Sequence, residues 1–380
     1  MKMRNGKALR KARSILAANC YINGLRPLYG RMKKLKVVDL FCGAGGFSEG
    51  FRRVGFEIVS AVDSWKTAAG TFSTNHPETR VLVRDVSKLD PAELGETDVL
   101  IGSPPCNHFS YSNNGGNGDL DEGLRLVVRF LELLIYLKPK YWIVENVPRL
   151  LSLMPGGVFA NQMKVGGETI MIPRKTVLNA ADFGVPQRRS RLLMGSFPMP
   201  LVTHSRIGSN LQSFSGHRIK QWVPMRRIIE ALPNPTGPCE DTLVIDPNYP
   251  DVYVPAASLS DHSYDSSLSP RQVSTNRAKK MHHPWCGRME FPDSLDKPAR
   301  TVTAVQAKTG RETIVIESEG ASCPAYRVLT AREYACLQTF PITYKFACKG
   351  TTAKVRMIGN AFPPMMASAL GKAILAAEGE

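Results

Sequence analysis

"KVVDLFCGAGGFSEGF", residues 36–51, decides the fold. Val37, Val38 and Leu40 give the stretch before Phe41 the composition of a short buried strand. Glycines at 43, 45 and 46 then turn the chain into a helix. Such a turn lets the backbone approach a nucleotide-like ligand closely, with a helix N-terminus nearby. Its spacing departs from G-x-G-x-x-G, and by itself it reads equally as a tight strand-to-helix connection.

Working outward, strands and helices alternate. "EIVSAVD" (57–63) is a second strand ending in Asp63, and "WKTAAGTFSTNHP" (65–77) is helical up to Pro77. "RVLVRD" (80–85) and "TDVLIGSPP" (97–105) follow as strands. "GLRLVVRFLELLIYLKPK" (123–140) carries helical apolar spacing and "YWIVENV" (141–147) is the next strand. This alternation predicts an α/β chain with a doubly wound, mainly parallel, Rossmann-like sheet that binds ligands at the carboxyl ends of its strands. Phe41, Asp63, Asp85, Pro104 and Glu145 fall at those ends. An acid at the end of the second strand suits ribose hydroxyls, and Asp85 suits an adenine amino group. Together with the glycine turn they predict a nucleoside-bearing cofactor, either a nicotinamide dinucleotide or S-adenosylmethionine.

After "SRLLMGSF" (190–197) the alternation stops, and a stretch rich in Pro, Ser, Asp and aromatics begins. It reads as a second, smaller, loop-rich domain over 196–345, with a catalytic domain over 36–195 completed by 346–380. Residues 1–36 carry eleven Lys or Arg and no acid, within a chain of net charge +16. Residues 1–35 thus read as a basic extension, suited to a polyanion or simply solvated. Eight cysteines without a CxxC pair argue for a reducing cytoplasm over a disulfide framework. No apolar run approaches the length of a membrane span. "HHPWC" (282–286) offers a ligand pair without a second cluster, so no metal is expected.

Cys106 follows a Pro-Pro corner and precedes "NHFSYSNNGGNG". A lone cysteine is commonly a small core residue. On a rigid corner under a glycine-rich loop it also suits a nucleophile, if a positive environment favours its thiolate. "PQRRSR" (186–191) offers that charge, with Arg189 and Arg191 on one face of an extended segment.

As an ordered set, the motifs resemble the cytosine-C5 DNA methyltransferase family. "DLFCGAGGFSEGF", "GSPPCNHFS", "ENVPRLL", "VLNAADFGVPQRRSR", "RVLTAREYACLQTFP" and "IGNAFPP" occur in the family's order and cover about residues 36–375. The resemblance implies a DNA (cytosine-5-)-methyltransferase acting on a flipped-out cytosine in duplex DNA, with S-adenosylmethionine as cofactor. It implies Cys106 as the nucleophile at C6, Glu145 on N3 and the exocyclic amine, and Arg189 near O2. Arg191 matches the motif's other arginine, with Asn146 and Gln187 in support. Phe41, Gly43, Gly45, Asp63, Asp85, Pro104 and Asn360 would hold the cofactor, with Ser64 and Val86 beside the two acids. Thr301 in "KPARTVTA" would touch the DNA backbone, and the loop-rich region would be the target-recognition domain.

The family's usual Gln after Pro-Cys is Asn107 here, followed by His108, and Ser64 stands where many members carry an aromatic. A tRNA cytosine-C5 methyltransferase and a catalytically silent DNA-binding relative are the competing readings. The resemblance further implies a monomer in the cytoplasm, associated with the nucleoid if the source is prokaryotic. A cognate restriction endonuclease would be a genetic rather than a physical partner.

Overall fold

Seven strands form the central sheet of the computed structural model, which describes residues 34–106, 109, 119–153, 161–207, 218–237, 242–282, 287–318 and 325–379. The basic arm, Asn107 and His108, the glycines of the following loop and most of "HHPWC" lie outside the described residues.

β1 (Lys36–Leu40) leads through the glycine turn into α1 (Gly46–Arg53). β2 (Glu57–Asp63), α2 (Lys66–Asn75), β3 (Arg80–Val83) and β4 (Val99–Gly102) follow. α3 (Leu120–Leu137) begins at an Asp119 cap whose carboxylate accepts the Glu122 N–H, and β5 (Tyr141–Asn146) comes after it. β6 (Gln162–Val165) and β7 (Glu168–Met171) make a separate hairpin before β8 (Arg174–Asn179) and β9 (Ser190–Ser196).

The sheet order is β3-β2-β1-β4-β5-β9-β8. β1 to β5 are parallel, as the alternation predicts. β9 runs antiparallel to both β5 and β8, which alternation alone does not reveal. Strand order reverses between β1 and β4, so their carboxyl ends open a crevice where α/β sheets bind ligands. Because β9 is reversed, its first residues lie beside the last residues of β5. Asn146 is paired with Leu192 and Glu145 with Leu193. Arg191 is thereby brought to the rim of the crevice.

Apolar side chains cover both faces of the sheet. Leu40, Leu100, Phe130 and Val144 belong to one buried cluster, and Val37, Phe51, Ile101 and Leu370 to the other. α7 (Pro364–Gly379) packs so tightly on α1 that a Cβ on Gly50 would lie 2.3 Å from the Ala367 Cβ. Among the described residues, the loop-rich stretch pairs its strands two by two, and its longest helix is α4 (Pro270–Met281). Its apolar residues Met225, Ile228 and Val302 join Tyr334 and Phe340 in a third cluster that also takes in Ala44 and Ala68. Within it lies α5 (Ala331–Leu337), capped reciprocally by Thr330 and Glu333, and α6 (Thr351–Asn360) packs alongside. Leu35–Glu380 forms one compact unit. Among the described residues no helix is long and apolar enough to cross a membrane.

Candidate active site

A cleft of about 640 Å³ opens at the carboxyl ends of β1, β2, β4 and β5. Its first wall is the glycine turn. Phe41 and Gly43 both have left-handed backbone, at φ 58° and 54°. A Cβ on Gly43 would meet nothing within 4 Å, so this backbone is bare toward the cleft. Gly45 is different in kind. At φ 90° it lies beneath Tyr344, and a Cβ there would be 2.7 Å from the Tyr344 Oη.

Asp63 closes the turn from β2. Its two oxygens accept the main-chain N–H groups of Gly43 (2.8 Å) and Trp65 (2.7 Å). A carboxylate has about four acceptor positions, so Asp63 can still receive hydroxyl donors from a ligand. Burial pushes its pKa up, against those two hydrogen bonds. Asp85 is exposed; the Ser87 N–H it accepts at 2.9 Å holds its carboxyl below the usual value. Ser64, Val86, Pro104 and Asn360 also line the cleft.

At the other end lies Cys106, half-buried after Pro104 and Pro105. Burial pushes its thiol pKa up. Arg191 pulls it down, Glu145 pushes it up again, and Arg189 adds a weaker downward pull. The resting thiol is therefore protonated at neutral pH. Glu145 Oε1 receives the Arg191 Nε at 2.8 Å, and both side chains are buried where they line the cleft. The fully buried Asn146 binds Pro104 O through its Nδ2 at 3.1 Å, while its Oδ1 accepts the Val147 N–H. β5 thus holds the Pro-Cys corner directly.

Arg189 and Arg191 do share a side of the chain, but they reach different partners. The Arg189 guanidinium donates to the carbonyls of Val302 (3.0 Å), Gly359 (2.8 Å) and Ala361 (3.1 Å). Burial, with Arg191 beside it, pulls its pKa down to about 9. Arg191, not Arg189, lines the cleft. Gln187 is equally enclosed, bonding Gln338 and accepting the Val302 N–H at 2.8 Å. Thr301 donates its hydroxyl to Arg188 O at 2.8 Å and does not line the cleft.

Trp65, the aromatic one position after Ser64, lines the same cleft, and so do Glu122, Ala304, Val305 and Arg356, which escape motif reading. Arg356 stands 4.8 Å over the Trp65 ring. It precedes Asn360 by one helical turn of α6, and that i, i+4 spacing is the signal that could have found it. Val305 and Ala304 lie in a loop without period and give no such signal. Of the acids lining the cleft, burial raises the Asp39 pKa to about 7 and Ser48 binds its carboxyl, and Glu122 is paired with Arg125, which leaves Asp63 and Asp85 to receive the donors of a nucleoside-bearing ligand. No group of three or more potential metal ligands occurs among the described residues.

A family model described as C-5 cytosine-specific DNA methylase matches residues 35–376. The Type II methyltransferase M1.HphI of Haemophilus parahaemolyticus is 30% identical over 357 residues, covering 90% of this chain and 87% of its own length. M.NgoPII of Neisseria gonorrhoeae, also a Type II methyltransferase, is 28% identical over 358 residues, covering 90% of this chain and 95% of itself. Among solved structures, the Dnmt2 methyltransferase of S. pombe superposes with a TM-score of 0.58 at 15% identity. It covers 91% of this chain and 100% of its own, and at that identity the likeness is one of fold.

Proposed function

This chain belongs to the C-5 cytosine-specific DNA methylase family, and from that premise we propose that it methylates C5 of a cytosine flipped out of duplex DNA, by way of a bond between Cys106 Sγ and C6. The observation that carries this reading is the convergence of Cys106 with the Glu145–Arg191 pair in one cleft with Asp63 and Asp85.

Cytosine C5 is a poor nucleophile. Addition of a thiolate at C6 makes the ring enamine-like and divides one hard step into easier ones. Once C5 carries the methyl group, its proton leaves to a base and Cys106 Sγ is expelled from C6, which restores the ring and frees the thiolate. Glu145 faces N3 and the exocyclic amine. Arg191, anchored by Glu145, is the cation placed to meet O2 and to favour the Cys106 thiolate. This assignment gives Arg191 the base contact that the resemblance implied for Arg189, which is fully buried, does not line the cleft and turns its Nη1 and Nη2 to main-chain carbonyls. S-adenosylmethionine, when bound, supplies an electrophilic methyl group. Gly43, Asp63, Asp85 and Asn360 hold and orient it, with Pro104 between it and the base. Residues 196–345 serve as the target-recognition part. The net charge of +16 supports phosphate binding that offsets the few kcal/mol of base flipping.

Labelled-methyl transfer to duplex DNA and to tRNA, with wild type and Cys106→Ser, tests the reading. Transfer to DNA that vanishes in Cys106→Ser is expected, together with a denaturation-resistant complex on 5-fluorocytosine DNA. Transfer to tRNA alone would overturn the substrate. Transfer without a trapped complex would sink the covalent step.

A further inference from the structure

We propose that Tyr344 is a positioning residue for the cofactor, its hydroxyl holding the glycine turn from behind so that the turn's cleft side is preset before S-adenosylmethionine binds. The inference rests on the S-adenosylmethionine reading above and adds to it a residue that does not line the cleft.

The turn has two sides. Of residues 41–47, all but Gly45 line the cleft. Gly45 faces away, where a Cβ would stand 2.7 Å from the Tyr344 hydroxyl oxygen and 2.9 Å from the Phe72 ring. On that side the Tyr344 hydroxyl donates to Ala44 O, while the Gly45 N–H donates to Cys42 O at 2.9 Å. Both polar ends of the peptide between Ala44 and Gly45 are thereby fixed. That peptide joins Gly43 and Ala44 to Gly46 and Phe47, which open α1 beside the cleft. Rotating it would turn a carbonyl toward the ligand, and Gly45 has no Cβ to resist the rotation. The restraint comes from Tyr344.

Tyr344 is itself firmly held. Its buried ring packs on Phe340 and Phe346, at centroid distances of 4.7 and 5.7 Å. Its carbonyl accepts Arg332 Nη2 at 3.0 Å, and Asp261 of the loop-rich stretch binds the same nitrogen at 2.8 Å. Just beyond it, the Lys345 N–H donates to Asn75 Oδ1 and the Ala347 N–H to Thr71 Oγ1, each at 2.9 Å, which fastens the segment to α2. A rigid arm from the loop-rich side of the chain thus ends on Ala44 O. Without the hydroxyl, this buried carbonyl regains a partner by turning to water in the cleft. The cofactor then finds only a fraction of the turn in its binding form, and the apparent affinity falls by that fraction.

The test is calorimetric titration of full-length protein with S-adenosylmethionine. Tyr344→Phe keeps the ring and removes only the hydroxyl, and its dissociation constant should rise about tenfold. Methyl transfer at saturating cofactor should stay near wild type, so that the loss falls on the cofactor KM and not on kcat. Tyr249→Phe is the control. It removes a like bond, from the Tyr249 hydroxyl to Thr339 O at 2.8 Å, which does not end on the turn, and its affinity should match wild type. Wild-type affinity in Tyr344→Phe overturns the assignment even where the melting temperature falls, because the hydroxyl then serves packing alone. Equal losses in the two variants overturn it as well, as general loosening. Wild-type protein that takes up no S-adenosylmethionine removes the cofactor reading itself, and this inference with it.

Discussion

Arg189 and Arg191 are two residues apart, carry the same group and do different work. Arg189 donates through Nη1 and Nη2 to Val302, Gly359 and Ala361 and keeps a buried Nε without a partner, while Arg191 pairs with Glu145 in the cleft. Arg189→Ala leaves buried carbonyls unpaired, which costs on the order of 3 kcal/mol or more in urea unfolding. Arg191→Ala should lower methyl transfer on the order of 10²-fold, the scale of losing one stabilising donor. It also removes a positive charge that favours the Cys106 thiolate, so the midpoint for thiol alkylation at Cys106 moves to higher pH. Mass-resolved alkylation across pH reads that shift, and a downward or absent shift would refute the role of Arg191. Strand alternation in the sequence put both arginines on one side. It could not tell which reaches the cleft, because Arg189's partners lie far along the chain.

At the scale of elements, the glycine turn separates binding from folding. Gly43→Ala forces a side chain into left-handed backbone at a cost of about 1 kcal/mol, with no steric contact in the free protein. Its Cβ enters the cleft, so S-adenosylmethionine affinity measured by calorimetry should fall more than tenfold while the chain stays folded. Gly45→Ala meets Tyr344 and Phe72 at under 3 Å and should chiefly lower the melting temperature. Equal effects on affinity and stability in both variants would contradict this division. β1 to β5 and the turn were legible because each carries a local period and a recognisable end. The reversal of β9 was not, since strand direction depends on what the intervening chain packs against. α4 was hidden too: its buried side is Asn276 and Lys280, so it has no apolar stripe to betray a helix.

Over the whole molecule, α1 and α2 meet the segment around residues 246–249 and 336–346 across a polar seam. Arg53 lies 3.6 Å over Tyr249, whose hydroxyl binds Thr339 O, and Asp246 accepts the Ile342 N–H. His76 is buried within this seam, near Tyr344, 3.8 Å from a Glu49 already bound by Arg52. Burial, with Arg52 nearby, pulls its imidazole down to about 3. Between pH 6.5 and 3 the unfolded chain thus binds a proton that the native protein does not, so stability falls as pH falls. The loss is on the order of 2 kcal/mol at pH 5 relative to neutral pH. His76→Gln should flatten the dependence of urea midpoint on pH over that window. An unchanged slope would show that His76 is protonated in the native state.

The reversed β9 has a consequence for how this site can be altered. Glu145 is paired with Leu193, and Arg191 is its diagonal neighbour on the same face. The acid–cation pair is thus held by inter-strand register, and sequence distance hardly matters. Insertions between β5 and β9 can lengthen the connecting segments and leave the pair in place. One residue gained or lost inside either strand turns Arg191 to the opposite face of the sheet. Libraries that vary length should spare Tyr141–Asn146, Arg174–Asn179 and residues 187–196 and draw their diversity from the separate hairpin of β6 and β7 between them.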